Sequence, residues 1–187
     1  MSTEAGTPAR AWREGRRVGI TNELSCFFKI KPGRAQYIRE ATERQFADPS
    51  RAQLVFKFGT VAEARMVIFD NDTQFGFFTV YEGDWDTYIE DFMPEVIPGL
   101  DRMFRGNLED WITKPLAETT VDEVKTLLDA HRVTAAGFTW SLGDTTLKET
   151  WKALRVQKAF QQVLDDPAAQ KALQDPALRP LLAEAQG

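Results

Sequence analysis

Residues 63–92 decide the fold, and they read Glu-Ala-Arg-Met-Val-Ile-Phe-Asp-Asn-Asp-Thr-Gln-Phe-Gly-Phe-Phe-Thr-Val-Tyr-Glu-Gly-Asp-Trp-Asp-Thr-Tyr-Ile-Glu-Asp-Phe. The stretch contains two runs rich in β-branched and aromatic residues, which favour strands. Between them lies Asp70-Asn71-Asp72, which tolerates the left-handed backbone angles of a tight hairpin turn. Glu82-Gly83-Asp84 ends the second run, and Asp84 is suited to cap a helix. The stretch therefore predicts a hairpin followed by a helix.

The chain before the hairpin predicts another strand and another helix. Residues 24–31 alternate in the manner of a strand, with Cys26 on the apolar face, where we expect a buried and inert thiol. Residues 33–46 have the spacing of an amphipathic helix. Residues 54–58 predict either a short extra strand or an irregular lead-in to the hairpin. Residues 1–22 offer almost nothing to bury and predict a flexible tail.

The chain after the hairpin predicts further helices and a fourth strand. Pro94 and Pro98 predict a break in the helix that follows the hairpin, with a short helix after the break. Residues 120–123 form a capping box, which starts a helix that ends near His131. Residues 133–141 alternate and predict the fourth strand of the sheet.

The C-terminal part of the chain is predicted to be helical. A second capping box at residues 146–149 starts a long helix. Asp166 and Asp175 are each followed by proline, and this pattern predicts two short helices. Together the elements predict an α+β, ferredoxin-like βαββαβ fold with extra C-terminal helices. We expect a tail at residues 1–22, the domain at 23–165 and a short helical extension at 166–187.

Both faces of the predicted hairpin are largely apolar. Helices of one chain can cover only one face of a sheet, so a second copy of the sheet is the simplest cover for the other. The sequence therefore predicts a homodimer that forms a dimeric α/β barrel. In the first strand one face comprises Ala62, Ala64, Met66 and Ile68, and the other comprises Glu63, Arg65, Val67 and Phe69. In the second strand one face comprises Phe75, Phe77, Thr79 and Tyr81, and the other comprises Gly76, Phe78 and Val80.

Composition excludes several classes of function. The chain has 187 residues, 43% hydrophobic and 27% charged residues, and a net charge of −5, which argues against a nucleic-acid binder. No run approaches the length of a membrane span, and the N-terminus lacks the apolar stretch of a secretory signal. A single cysteine suits a reducing compartment, so we expect a cytoplasmic protein.

Several short motifs resemble those of a group of largely uncharacterised bacterial proteins in the dimeric α/β-barrel (ferredoxin-like) superfamily. The resemblance covers roughly residues 22–165, and its most specific part is the Gly-Asp-Trp-Asp segment. The matching motifs are Gly59-Thr60-Val61, Ala64-Arg65, Phe69-Asp70, Thr73, Glu82-Gly83-Asp84-Trp85-Asp86, Ile89-Glu90-Asp91-Phe92, Arg155, Ala159-Phe160 and Leu164-Asp165.

The resemblance implies the fold and the dimer more firmly than a reaction. The superfamily includes cofactor-free monooxygenases, polyketide cyclases, and the haem-binding chlorite dismutases and dye-decolourising peroxidases. The related group carries a His-Phe pair where this chain has Ala62-Glu63, so any role of that histidine is absent here.

A cofactor-free cyclase or oxygenase needs an aromatic cavity and groups that stabilise an enolate. Tyr81, Arg65 and Glu63 are the candidates for catalysis, on strand faces that are otherwise apolar. An ion pair of Arg65 with Glu63 or Glu82 at the sheet edge explains the charged residues equally well. The candidates for holding a flat hydrophobic substrate are Phe75, Phe77, Phe138 and Trp140.

His131 is the only histidine, which excludes metal sites that need several imidazoles, and we expect no metal site. At the end of a helix it is suited to bond the last carbonyl groups. The alternative, by likeness to the haem branch of the superfamily, is an axial haem ligand. We therefore expect an enzyme or binder for a hydrophobic aromatic or polyketide-like compound without a tightly bound cofactor. A haem protein and a non-catalytic partner subunit are the alternatives.

Overall fold

The computed structural model describes residues 15–50, 59–115 and 118–185, without the side chains of residues 92–95 and 97. The predicted strand or lead-in at residues 54–58 lies outside this part. The chain divides into two compact units, Met1–Thr146 and Leu147–Gly187. The long C-terminal helix thus belongs to the second unit, whereas the sequence predicted a main domain that continues to residue 165.

The first unit contains an open four-stranded antiparallel sheet. Its strands are β1 Arg17–Val18, β2 Thr21–Lys29, β3 Val61–Phe69 and β4 Gln74–Glu82, in the order β1-β2-β4-β3. This α+β arrangement is compatible with a ferredoxin-like fold. Most of the predicted tail, residues 1–14, lies outside the described residues, and the prediction is wrong for residues 17–22, because β1 and the start of β2 pair there.

Seven α-helices occur in the described residues. In the first unit they are α1 Ala35–Phe46, α2 Trp85–Glu95, α3 Ile97–Phe104 and α4 Val121–His131. In the second unit they are α5 Leu147–Asp165, α6 Gln170–Leu173 and α7 Arg179–Glu184, and 3-10 turns at Pro167–Ala169 and Pro176–Leu178 precede α6 and α7. None of the helices in the described part of the chain has the length and apolar character needed to cross a membrane.

The caps predicted at Asp84 and Thr120 and the break at the two prolines are confirmed. The Asp84 carboxylate accepts a hydrogen bond from the Thr87 amide at 2.9 Å, at the start of α2. Thr120 and Glu123 form both hydrogen bonds of a capping box at the start of α4. Between α2 and α3 the helix breaks at Val96, as the two prolines of this region predict.

The hairpin turn is also confirmed. Asp70, Asn71 and Asp72 have φ angles of 52°, 50° and 69°, and the Thr73 amide donates to the Asp70 carbonyl at 3.1 Å. Aspartate and asparagine accept this left-handed conformation more readily than other residues with a Cβ atom. The guanidinium of Arg39, on α1, bonds both carboxylate oxygens of Asp72 and ties the turn to that helix.

The predicted fourth strand at residues 133–141 is wrong. Next to an isolated bridge between Arg132 and Cys26, the Val133 amide donates to the Ser25 carbonyl at 2.8 Å, and no ladder of backbone pairs follows in the described residues. Further along, β1 already pairs with the start of β2, so a second strand has no free edge there. Residues 134–140 are therefore irregular, although the sequence has the alternating pattern of a strand there.

The core lies between the helices and one face of the sheet, which we call the inner face. Helices α1 to α4 cover it with apolar side chains. A bulge at Ala62 lets Val61 face the core opposite Tyr81, in place of the predicted Ala62. The inner face comprises Leu24, Cys26 and Phe28 of β2, Val61, Met66 and Ile68 of β3, and Phe75, Phe77, Thr79 and Tyr81 of β4.

Candidate functional site

The three residues predicted to act in catalysis lie on opposite faces of the sheet. Tyr81 is on the inner face and only 1% exposed. Arg65 and Glu63 are on the other face, where their side chains are 63% and 49% exposed and form an ion pair at 3.6 Å. The structure therefore separates Tyr81 from the other two, and the ion pair that was the alternative explanation of Arg65 and Glu63 is present.

Tyr81 belongs to an aromatic group at the start of α2. Its ring stacks on Tyr88 with 4.0 Å between centroids and lies 6.4 Å from the ring of Trp85. The Tyr88 hydroxyl shares a hydrogen bond of 3.1 Å with Thr79. Burial raises the pKa of Tyr81 to about 12 and also raises the pKa of Tyr88. Both hydroxyls are therefore protonated at neutral pH.

Arg132 is the cation beside Tyr81, and the sequence did not single it out. Its guanidinium carbon lies 4.6 Å from the centroid of the Trp85 ring, and its charge beside the Tyr81 hydroxyl opposes the increase that burial causes in the pKa of that hydroxyl. The side chain is only 8% exposed, with Asp129 at 3.7 Å. The sequence signal was present but weak: a basic residue directly follows the last residue of α4, where cations are common for other reasons.

The predicted substrate-binding residues divide into two groups. Phe75 and Phe77 are buried on the inner face, and the Phe75 ring lies 4.7 Å from that of Phe104. Phe138 and Trp140 belong to the irregular segment after Arg132 and are partly buried there.

Aromatic side chains occupy the space where the sequence predicted a cavity. Phe104 contacts Trp111 at 5.1 Å between ring centroids, and Trp111 contacts Phe28 at 5.7 Å. All three rings are buried with Phe75, so this part of the inner face is filled by the protein's own side chains.

The opposite face of the sheet, which we call the outer face, carries an aromatic group near the surface. Phe27 makes edge-to-face contacts with Phe78 at 5.5 Å and with Phe69 at 6.1 Å. The Arg65 guanidinium lies 5.3 Å from the Phe78 centroid. Val67 and Phe69 are each 38% exposed. This face is apolar, with one ion pair, and is in part open to solvent.

Glu23 closes one end of the outer face. It is 4% exposed, and its carboxylate accepts hydrogen bonds from the Arg16 amide at 3.0 Å, the Ala135 amide at 3.1 Å and the Ser25 hydroxyl at 2.7 Å. These bonds join the residues before β1, strand β2 and the segment after α4. Glu23 therefore has a structural role, which is to hold these three segments together.

Two surface grooves lie away from Tyr81. One has a volume of about 460 Å3 and lies between the end of β2, the hairpin turn and the start of α1, with Lys29, Gln74 and Glu109 in its wall. The other has a volume of about 210 Å3 and lies between α1 and β3, beside Arg39 and Met66. Neither groove has the enclosed apolar lining that the sequence predicted beside Tyr81.

The ring of His131 hydrogen-bonds a carbonyl group in the last turn of its helix, as the sequence predicted. Its Nδ1 atom is 2.9 Å from the Leu127 carbonyl oxygen, and its Nε2 atom is 3.6 Å from a carboxylate oxygen of Asp110. The ring stacks on Phe28 with 4.3 Å between centroids. An axial haem ligand needs one ring nitrogen directed at the iron. Both nitrogens face protein oxygens, so this arrangement does not fit a haem ligand.

Two other candidate chemistries find no support in the described residues. They contain no group of three His, Cys, Asp or Glu side chains that could hold a metal ion. Cys26 is buried as predicted, and burial raises the pKa of its thiol to about 12, which disfavours the reactive thiolate.

Comparison with protein-family models, with curated proteins and with solved structures found no match to this chain. The arguments about function therefore rest on the two faces of the sheet.

Proposed function

We propose that the protein is a homodimer that pairs through the outer faces of two sheets and binds a hydrophobic aromatic compound between them. The observation that supports this proposal is the edge-to-face group of Phe27, Phe69 and Phe78 on a face that is partly open to solvent. Exposed apolar groups of this kind mark sites of association or ligand binding. Membership of the dimeric α/β-barrel superfamily, and a cofactor-free cyclase or oxygenase reaction, are part of the same proposal.

The outer face suits a second copy of itself. A two-fold axis brings each residue of one copy opposite a different residue of the other. Glu63 and Arg65 are neighbours with opposite charges, so each can face its opposite in the second copy. The aromatic and aliphatic residues of this face, which are Phe27, Val67, Phe69, Phe78 and Val80, gain from removal from water.

The size of the face sets the expected strength of the dimer. Strands β2, β3 and β4 have nine residues each. They span a face roughly 30 Å long and 15 Å wide. That is about half of the roughly 800 Å2 that each partner contributes to a standard interface. We therefore expect a dimer that dissociates on dilution.

Size-exclusion chromatography with light scattering, over a range of protein concentrations, tests the dimer. The wild type should shift from monomer to dimer as concentration rises. Phe69→Lys should raise the dissociation constant about tenfold or more, because it places a charge in an apolar contact. Phe46→Lys is the matched control, since Phe46 is 57% exposed at the end of α1 and away from the outer face. A wild type that stays monomeric at high concentration contradicts the proposal.

Ligand binding is tested separately with 2-naphthol, a flat neutral aromatic compound. Calorimetric titration of the dimer should show saturable binding, and Phe69→Lys should remove it. Equal binding by wild type and Phe69→Lys would place the compound elsewhere and contradict this part of the proposal. The Phe46→Lys variant again serves as the control.

A second candidate function, a non-catalytic subunit that docks onto another protein, has its own observation. Helix α5 exposes three aliphatic side chains, with Leu154 at 59%, Val156 at 56% and Val163 at 44%. Because Leu154 and Val156 are two residues apart, they point to different sides of the helix. A partner would have to contact α5 from more than one side. Replacing the three residues by Gln should abolish such docking and leave the dimer of the first unit intact.

A further inference from the structure

We propose that Arg132, with Tyr81 and Trp85, forms a binding site for the carboxylate of a small hydrophobic acid. This site is on the inner side of the sheet and goes beyond the function proposed above, because it requires neither the dimer nor the outer face. It is formed by residues from β4, the first turn of α2 and the position directly after α4.

The first argument is the charge of Arg132. The side chain is 8% exposed, and arginine stays charged when it is buried. Its ion pair in the described part of the chain is with Asp129, at 3.7 Å, and Asp129 is itself 47% exposed. A buried cation is stable when it is closely paired and fully hydrogen-bonded. The pairing seen here is long, and one side of it lies in solvent.

The second argument is an unsatisfied donor. The Nε atom of Arg132 is buried and has no hydrogen-bond partner among the described residues. A buried donor without a partner costs about 1–3 kcal/mol, and most native structures avoid it. The Nε–H and one terminal N–H form the edge of the guanidinium that binds a carboxylate through two parallel hydrogen bonds. A carboxylate at this edge would satisfy Nε and neutralise the charge at once.

The third argument is that the neighbours fix the guanidinium and add a donor. Trp85 covers one face of the group at 4.6 Å, which leaves its edge for a ligand. The Tyr81 hydroxyl stays protonated beside this cation, so its proton can be donated to a ligand oxygen. Trp85 is only partly buried, so the site borders the surface.

A further donor without a partner lies on the same segment of chain. The indole Nε1 of Trp140 is buried and, within the part of the chain that the structure describes, unpaired like Nε of Arg132. Both groups can only donate, so a ligand that satisfied either one would have to supply acceptor atoms. The aromatic side chains of Trp85 and Tyr88 favour an acid with a hydrophobic body over a small hydrophilic one.

Nuclear magnetic resonance of arginine side chains in the full-length protein tests the site. The probe is benzoate, and benzyl alcohol is the neutral control of similar shape. We expect the Nε–H resonance of Arg132 to shift saturably with benzoate and not with benzyl alcohol. Absence of a shift at millimolar benzoate, or the same shift with both compounds, would overturn the proposal. This measurement uses the wild type and does not depend on the folding of a variant.

Three variants complete the test. Arg132→Lys keeps the charge but removes the Nε edge, so it should weaken benzoate binding about tenfold or more. Arg65→Lys makes the same change on the outer face and should leave benzoate binding unchanged. Phe69→Lys should also retain the Arg132 shift, so failure of the proposed dimer can be told apart from failure of this site. Unchanged benzoate affinity in a folded Arg132→Lys variant would overturn the proposal.

Discussion

The two faces of strand β4 differ in how far their side chains are exposed to solvent. On the inner face Phe75, Phe77, Thr79 and Tyr81 are each at most 4% exposed. On the outer face, Phe78 and Val80 are partly exposed, and of their neighbours across the strand pairs only Glu23 is buried. Both sets are rich in aromatic residues, and only the presence of helices on one side distinguishes them. An apolar residue in a strand therefore indicates that something covers it, but not which molecule supplies the cover.

The two faces also differ in whether their polar groups are buried with protein partners or exposed to solvent. The inner face pairs Tyr88 with Thr79 by a buried hydrogen bond of 3.1 Å and holds Arg132 against Tyr81 and Trp85. The outer face leaves its ion pair of Arg65 and Glu63 in solvent. Polar groups on the inner face thus have few alternatives to their present partners, whereas those on the outer face can exchange partners with water or a second copy.

The largest expected effect comes from removing one large ring from each face. Phe75→Ala should lower the free energy of unfolding by about 3–5 kcal/mol, because it leaves a cavity between Phe28 and Phe104. Phe69→Ala, on the outer face, should cost at most about 1 kcal/mol in dilute solution, where the protein is monomeric. Urea unfolding followed by circular dichroism measures both. Equal losses would contradict the distinction between a filled and an open face.

The next effect depends on pH and involves the inner face alone. The folded protein raises the pKa of Tyr81 to about 12 and also raises the pKa of Tyr88, mainly by burial. A raised pKa means that the folded state holds the proton more tightly than the unfolded state. The stability from these tyrosines is therefore complete below the unfolded pKa of about 10 and decreases as pH rises towards the folded values.

Alkaline titration followed by ultraviolet absorbance checks this expectation. Tyr81→Phe should remove a late ionisation, whereas Tyr37→Phe should not, because Tyr37 is 45% exposed on α1. Unfolding experiments at increasing pH should show stability declining above pH 10 in the wild type and declining less in Tyr81→Phe. A late ionisation that persists in the double variant Tyr81→Phe/Tyr88→Phe would contradict the assignment to the inner face.

These faces show how far the sequence alone could specify the structure. Local signals sufficed for the hairpin, the turn at residues 70–72 and the capping box at Thr120, because each depends on residues a few positions apart. The strand predicted at 133–141 failed because β1 occupies part of the edge it needed, and such competition between distant segments leaves no local pattern.

The site was harder to predict than the fold. Tyr81 was correctly placed on an apolar strand face, but the cation named with it as a candidate for catalysis was Arg65, sixteen residues away along the hairpin. The register puts Arg65 opposite Phe78 and therefore on the outer face. Arg132 reaches Tyr81 only because α4 returns the chain to the edge of β2, at the bridge with Cys26. Burial of a polar side chain by a distant segment is a property of the folded chain, and no spacing in the sequence expresses it.

The smallest expected effect is on the ion pair of the outer face. Arg65→Ala should change the free energy of unfolding of the monomer by less than about 1 kcal/mol, because exposed ion pairs and cation–π contacts contribute little. The same substitution should weaken the dimer by more than it destabilises the monomer. In the dimer, the apolar contact removes water from Glu63, and the substitution leaves that carboxylate unpaired. Urea unfolding at low concentration and sedimentation at high concentration separate the two. If Arg65→Ala weakens the dimer and changes the stability of the monomer little, the outer face is covered by association. A large loss of stability in the monomer would instead show that the outer face is already part of the core.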